Sequence, residues 1–160
     1  MALRDGRGDV FAESLPVLDK RANGRAIRSW IAGRVPVNTV KCAIEKAQPV
    51  YIPPERLKAN PNAARNLTSS SFHYGSGYGF LVGVLTGWGI PVVEIHPASW
   101  QAKVLGSGRK GRTKEAAIAH VLSTYPMVDL TPGRKIKPDE GKADAVCIME
   151  WCYLWSPFKC

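Results

Sequence analysis

Three acids and one basic loop stand where side chains could do chemistry. Glu45 falls near the end of Val37-Asn38-Thr39-Val40-Lys41-Cys42-Ala43-Ile44-Glu45-Lys46-Ala47, a β-branched, mostly apolar run bounded by Pro36 and Pro49. Such a run suits a strand covered on both faces. In open α/β sheets ligands bind at the carboxyl ends of strands, which is where Glu45 would stand. Taken alone, the stretch is explained more simply by a solvated Glu opening a loop. Glu140 and Asp144 lie four residues apart, so on a helix they share a face of its first turns. An N-cap at Asp139 and the helix dipole account for Asp139 and Glu140. They account less well for Asp144, which sits among Ala143, Ala145, Val146 and Ile148 where the helix should bury itself. A buried acid needs a partner. Gly106-Ser107-Gly108-Arg109-Lys110-Gly111-Arg112 joins glycines that let a main chain approach a phosphate to cations that would attract one. A flexible solvated loop explains it equally well.

The elements that must position these groups can be read in order. Arg4-Asp5-Gly6-Arg7-Gly8 is a turn cluster between Met1-Ala2-Leu3 and Asp9–Pro16, a hairpin with a very short first arm. From Ala22 onward, Ala26, Ile27, Trp30 and Ile31 recur at helical spacing, which predicts a helix burying Ile27, Trp30 and Ile31. Residues 48–71 hold four prolines and three consecutive serines without sustained period, and read as a long binding or covering loop. A buried helix is expected over 73–88, its glycines at 75, 79, 83 and 87 letting a neighbouring backbone come close. Gly89-Ile90-Pro91 ends it, and Pro91–Ile95 is the second buried strand. Lys114–Ser123 sets Ala117, Ile118, Val121 and Leu122 on one helical face. A basic loop, Pro132–Lys137, leads to a last helix from Pro138-Asp139-Glu140 to about Trp155.

With 160 residues the chain reads as one domain, 1–160, able to bury a core without disulfides or metal. Twenty-two Lys and Arg against thirteen Asp and Glu give +9, so polyanions, nucleic acid first, are the natural partners. Plain solubility would also explain the charge, yet the cations cluster at 103–114 and 134–142. The cysteines at 42, 147, 152 and 160 match neither zinc spacing nor a secreted framework, and are expected as free thiols. With no apolar leader at the start, a cytoplasmic location is expected. Residues 66–93 contain no Lys, Arg, Asp or Glu, which invites a membrane reading. Paired membrane helices also use small-residue stripes. The Gly-Ile-Pro break inside that span favours a helix and a strand of a protein with no membrane partner.

The order of several motifs carries a resemblance. Ser71-Phe72-His73-Tyr74-Gly75 runs through Gly79 and Gly83 to Gly89-Ile90-Pro91-Val92 and Pro97-x-x-Trp100. Lys114-Glu115 opens a helix that ends at Tyr125-Pro126, and Gly141-Lys142-Ala143-Asp144-Ala145 lies in the last helix. With Ile44-Glu45, this ordered set over residues 36–155 resembles the phage and bacterial RuvC-like Holliday junction endonucleases of the RNase H-like superfamily. The resemblance implies an α/β fold, a mixed sheet flanked by helices, with acids gathered over one site. It implies two divalent ions, Mg²⁺ or Mn²⁺, about 4 Å apart, activating water for phosphodiester hydrolysis. Glu45 matches the middle-strand acid and Asp144 the last-helix acid. Glu140 is the candidate for a further helix acid, although many relatives place it three residues before Asp144, where this chain has Gly141.

The resemblance further implies branched DNA as partner and a homodimer, because a four-way junction has paired symmetric strands. Lys103, Arg109, Lys110, Arg112 and Lys114 are the expected phosphate contacts, and Phe72 or Tyr74 the expected reach to the junction or a base. Packing is the simpler fate of at least one of those aromatics. The chain departs from the pattern at its start. Relatives begin with an apolar strand ending in an Asp-Pro-Gly-like motif, whereas Met1-Ala2-Leu3-Arg4-Asp5-Gly6 looks like the segment after that motif. The expected fold is therefore RNase H-like with the first strand truncated, and the first catalytic Asp has no counterpart. A relative that binds DNA without cutting it is the alternative.

Overall fold

The computed structural model describes residues 1–19, 21–48, 55, 61–107, 113–133 and 136–157, with the main chain alone at 61–68 and 114. Strands β1 (Ala2–Arg4) and β2 (Val10–Ala12) form an antiparallel hairpin in which Leu3 faces Phe11. Asp5 makes the turn between them. Its Oδ1 accepts from the main-chain N–H of Arg7 and of Asp9, each at 2.9 Å, while Gly8 takes a φ of +96° that suits glycine. A second small antiparallel pair, β3 (Val17–Leu18) and β4 (Arg21–Ala22), leads into helix α1 (Gly24–Ala32). Asn23 caps α1 by accepting from Ala26 N–H.

The strand expected over 37–47 is shorter than its composition suggests. Val37–Thr39 is a 3₁₀ turn, and only β5 (Cys42–Glu45) is extended. The reason is local: Thr39 bonds the Pro36 carbonyl with both its N–H, at 3.0 Å, and its hydroxyl, at 2.7 Å, holding the chain in a turn. β5 is half-buried along its length rather than covered on both faces. It pairs in parallel with β6 (Val92–Ile95), Glu45 opposite Ile95.

Helix α2 (Pro61–Gly87) corrects two expectations. It takes up the end of the loop expected over 48–71, whose remainder lies mostly outside the described residues. It is also not buried: residues 69–76 are exposed, Leu85 is its one described buried side chain, and a Cβ built on Gly75, Gly79, Gly83 or Gly87 would meet nothing within 4 Å. Those glycines therefore mark no close helix crossing among the described residues. Helices α3 (Pro97–Val104), α4 (Lys114–Thr124) and α5 (Glu140–Trp155) follow. Of the face expected on α4, Ala117 and Val121 are buried, Ile118 is half-buried and Leu122 is exposed.

Two apolar clusters sandwich the strands, and period-two alternation assigns the side chains between them. Ala2, Val10, Ala12 and Ile95 pack with Trp100, Val121, Ala143, Val146 and Cys147 of α3, α4 and α5. Leu3, Phe11, Cys42 and Val92 turn the other way, to Ile27 and Ile31 of α1 and Leu85 of α2. Trp30, expected in the core, is only half-buried. The result is a mixed α/β architecture. Among the described residues the hairpin and the β5–β6 pair both lie against α5, yet no ladder joins them into one sheet.

Cys42, Cys147 and Cys152 are free thiols as expected, while Cys160 lies outside the described residues. No described helix is long and apolar enough to cross a membrane.

Candidate active site

Parallel pairing brings the carboxyl ends of β5 and β6 to the same side, and this is what places Glu45. Lys46 N–H donates to Ile95 O at 2.8 Å, so pairing continues one residue past Glu45. Beyond Ile95 the chain turns into α3 at once: His96 is the N-cap, its Nδ1 accepting from Ala98 N–H, and Pro97 fits the first helical turn. The first turn of α3 then carries Trp100 back beneath the end of β5. Its ring is buried, 1 % exposed, and its Nε1 donates to Glu45 Oε2 at 2.7 Å. A charge-assisted bond of this kind fixes one carboxylate oxygen and with it the direction of the other.

Helix α5 supplies the second acid. Asp139 is its N-cap, accepting from Lys142 N–H, which satisfies one of the open amides of the first turn. Cys42, at the start of β5, lies in electrostatic reach of Cys152 near the helix end. β5 packs against α5. The start of the helix faces the hairpin, where burial, with the nearby Lys142 charge, holds the Met1 amino group below its ordinary pKa.

Asp144 is half-buried, as its apolar neighbours in sequence require, whereas Glu140 is exposed. Asp144 also acts on Cys147. Burial first, and then the negative charges of Asp144 and Glu150, push that thiol up to about 12.

The remaining residues expected at the site are dispersed. Lys103 is exposed in the last turn of α3, and Phe72, 71 % exposed, stands on α2 with Tyr74 nearby and also exposed. Arg109, Lys110 and Arg112 lie outside the described residues. Lys114 opens α4, where only its main chain is described, after the N-cap Thr113. Among the described residues no three His, Cys, Asp or Glu side chains come together closely enough to hold a metal ion, so Glu45, Asp144 and Glu140 are not gathered at one point.

Two residues with clear partners escaped the sequence reading. Trp100 was visible only within Pro97-x-x-Trp100, and nothing in that spacing shows that its indole N–H meets a carboxylate 55 residues away. Glu150, buried on α5, is 2.7 Å from His120 Nε2 on α4. Burial, followed by the charge and hydrogen bond of Glu150, raises Tyr125 to about 12. This group ties α4 to α5 and does not reach Glu45. Arg4 from the hairpin covers the same helix end, its guanidinium 4.0 Å from the Tyr153 ring. No family model matches the chain, and no curated protein matches it.

Proposed function

We propose that this chain is a metal-dependent, structure-selective endonuclease of the RuvC-like kind, hydrolysing phosphodiester bonds in branched DNA as a homodimer. One observation carries the reading. A strand-end carboxylate, Glu45, is aimed by a buried indole donor while the helix bearing Asp144 packs across the same strand. Two half-buried carboxylates suit Mg²⁺ or Mn²⁺, since Mg²⁺ usually takes one or two protein carboxylates and fills its octahedron with water and substrate phosphate. Glu45, through the oxygen outside its bond to Trp100, and Asp144 would hold the ion. When bound, the ion supplies positive charge to the phosphate and acidifies an attacking water. The chain's own part is to hold both acids half-buried, where charge interactions are screened less than in water.

An RNase H-like sheet fits the layering. β1 and β5 lie against one helix, α5, and each has an edge without a sheet partner among the described residues. A shared central strand would join the two pairs. The excess of basic residues supplies the attraction for DNA.

The second reading, a relative that binds DNA without cutting it, is favoured by the lack, among the described residues, of three acids brought close enough together to hold a metal ion. The two separate in one assay, cleavage of a labelled four-way junction and of a linear duplex, with Mg²⁺ and with chelator. Junction nicking that requires Mg²⁺ supports the nuclease. Salt-sensitive binding to the junction without nicking supports the second reading.

A further inference from the structure

From the other face of the molecule we infer that α1 carries a separate nucleic-acid contact, a shallow groove in which Arg25, Arg28 and Ser29 grip a sugar-phosphate backbone. The region is unusual in charge. Residues 20–44 include Lys20, Arg21, Arg25, Arg28, Arg34 and Lys41 and not one Asp or Glu. A solvated protein surface normally mixes both signs, so the absence of acids needs a reason beyond solubility.

The helix orients part of that charge. Ile27 and Ile31 are buried in the core, which turns Arg25, Arg28, Ser29 and Ala32 outward at i, i+3, i+4 and i+7, one stripe of the helix. These four, with Val37 of the 3₁₀ turn as the far wall, line a groove of about 330 Å³. Arg34 shows what a structural arginine looks like here. Its Nη1 donates to Trp30 O at 2.9 Å, and its guanidinium lies over the rings of Trp30 and Phe11. Arg25 and Arg28 are exposed and make no ion pair with a described residue. Their planar forks match phosphate oxygens, and the Ser29 hydroxyl on the same helix stripe adds a further donor.

Two features favour nucleic acid over an anionic membrane. The surface is concave, suited to a ridge of phosphates. Its apolar lining, Ala32 and Val37, is too small to anchor in a bilayer. The groove lies before β5 in the chain and Glu45 at that strand's far end, so the contact does not depend on the cleavage chemistry and holds whether or not the chain cuts.

The test uses the full chain, with Arg25→Ala/Arg28→Ala and Arg25→Lys/Arg28→Lys beside wild type. Binding to a fluorescent 30-base-pair duplex is followed by anisotropy at several salt concentrations without divalent metal. Losing two phosphate contacts should flatten the slope of log K against log[salt] by roughly 1.8, since each contact contributes about 0.9. The double alanine variant should bind about tenfold or more weakly in moderate salt, while the lysine variant keeps most of the slope. Both side chains are exposed, so thermal melting should match wild type. An unchanged slope in a folded alanine variant overturns the inference. So does a loss confined to binding of phosphatidylserine vesicles, which would point to a membrane surface. Flattened binding by a chain that never nicks a junction sustains this contact while sinking the nuclease reading.

Discussion

The indole of Trp100 reaches across 55 residues of sequence to hold Glu45, Nε1 to Oε2 at 2.7 Å. Two strand ends and one helix start converge to make this contact, and it decides which way the candidate catalytic carboxylate points. A hydrogen bond to a charged group contributes about 1.5–3 kcal/mol when buried, and less where one partner is half-exposed. Trp100→Phe keeps most of the ring volume and removes the donor. Denaturant unfolding should show a loss of about 1–2 kcal/mol, and Mg²⁺-dependent cleavage should fall while junction affinity stays. A Trp100→Phe variant that cleaves at the wild-type rate would mean that Glu45 needs no such guide.

Glu45→Gln and Asp144→Asn each keep shape and remove charge. Under the nuclease reading both abolish junction nicking and leave salt-dependent junction binding largely intact, measured by gel shift beside the cleavage assay. Glu140→Gln should do little, because Glu140 is exposed in the first turn of α5. If Glu45→Gln and Asp144→Asn both still cut, the chemistry lies elsewhere.

The interior between α4 and α5 is tightly filled, with Val121 and Val146 wholly buried. Val121→Ala removes two buried carbons, about 0.8 kcal/mol each by transfer plus a cavity term, so a loss of roughly 2 kcal/mol is expected in urea unfolding. Leu122→Ala, one residue on but exposed, should change stability by less than about 0.5 kcal/mol. Equal losses at both positions would contradict the packing of α4.

Stability should fall at alkaline pH. Cys147 and Tyr125 titrate near 12 in the folded chain, above their ordinary 9.0 and 10.0, because burial and neighbouring carboxylates disfavour their anions. A raised folded-state pKa means that the unfolded chain loses its proton first, so each added hydroxide favours unfolding. The contribution is fully present below pH 9 and is lost progressively from 9 towards 12. Urea midpoints should therefore hold from pH 7 to about 8.5 and then drop, with a shallower drop in Cys147→Ala. The Cys147 thiol should also resist alkylation in the native chain at pH 8. Rapid native labelling of Cys147 would show that its site opens readily.

The glycines of α2 offer a contrast between sequence pattern and environment. Gly79 and Gly83 are exposed and have open space where a Cβ would go. Gly79→Ala should therefore raise stability by about 0.5–1 kcal/mol through the lower backbone entropy of alanine in the unfolded chain. A marked loss, seen as a lower melting temperature, would reveal a close partner on that helix face.

Much of the secondary structure comes from local chemistry. The hairpin, α1, α4, α5 and both members of the parallel pair were legible from turn residues, caps and periodicity, because those signals act over a few residues. Glu45 at a strand end and Asp144 on a partly buried helix face were legible for the same reason. Residues 37–39 and the expected burial of α2 differ from the structure where composition and environment part company, although the helix itself over 73–87 stands as expected. Thr39 converts an extended-looking run into a turn through its bonds to Pro36, and a glycine stripe that could have lined a crossing faces open space.

What the amino-acid sequence determined by itself was therefore the parts, the excess positive charge and the two acids worth examining. Only the tertiary structure decided their relations. Trp100 aims Glu45, α5 packs against β5, Glu140 is left exposed, and Arg25 and Arg28 are left exposed while Arg34 is taken up in packing. Caps and periods are set by neighbours along the chain, but a carboxylate's partner is set by which strands pair and which helix covers them, and that choice is made by burying apolar surface across the whole molecule.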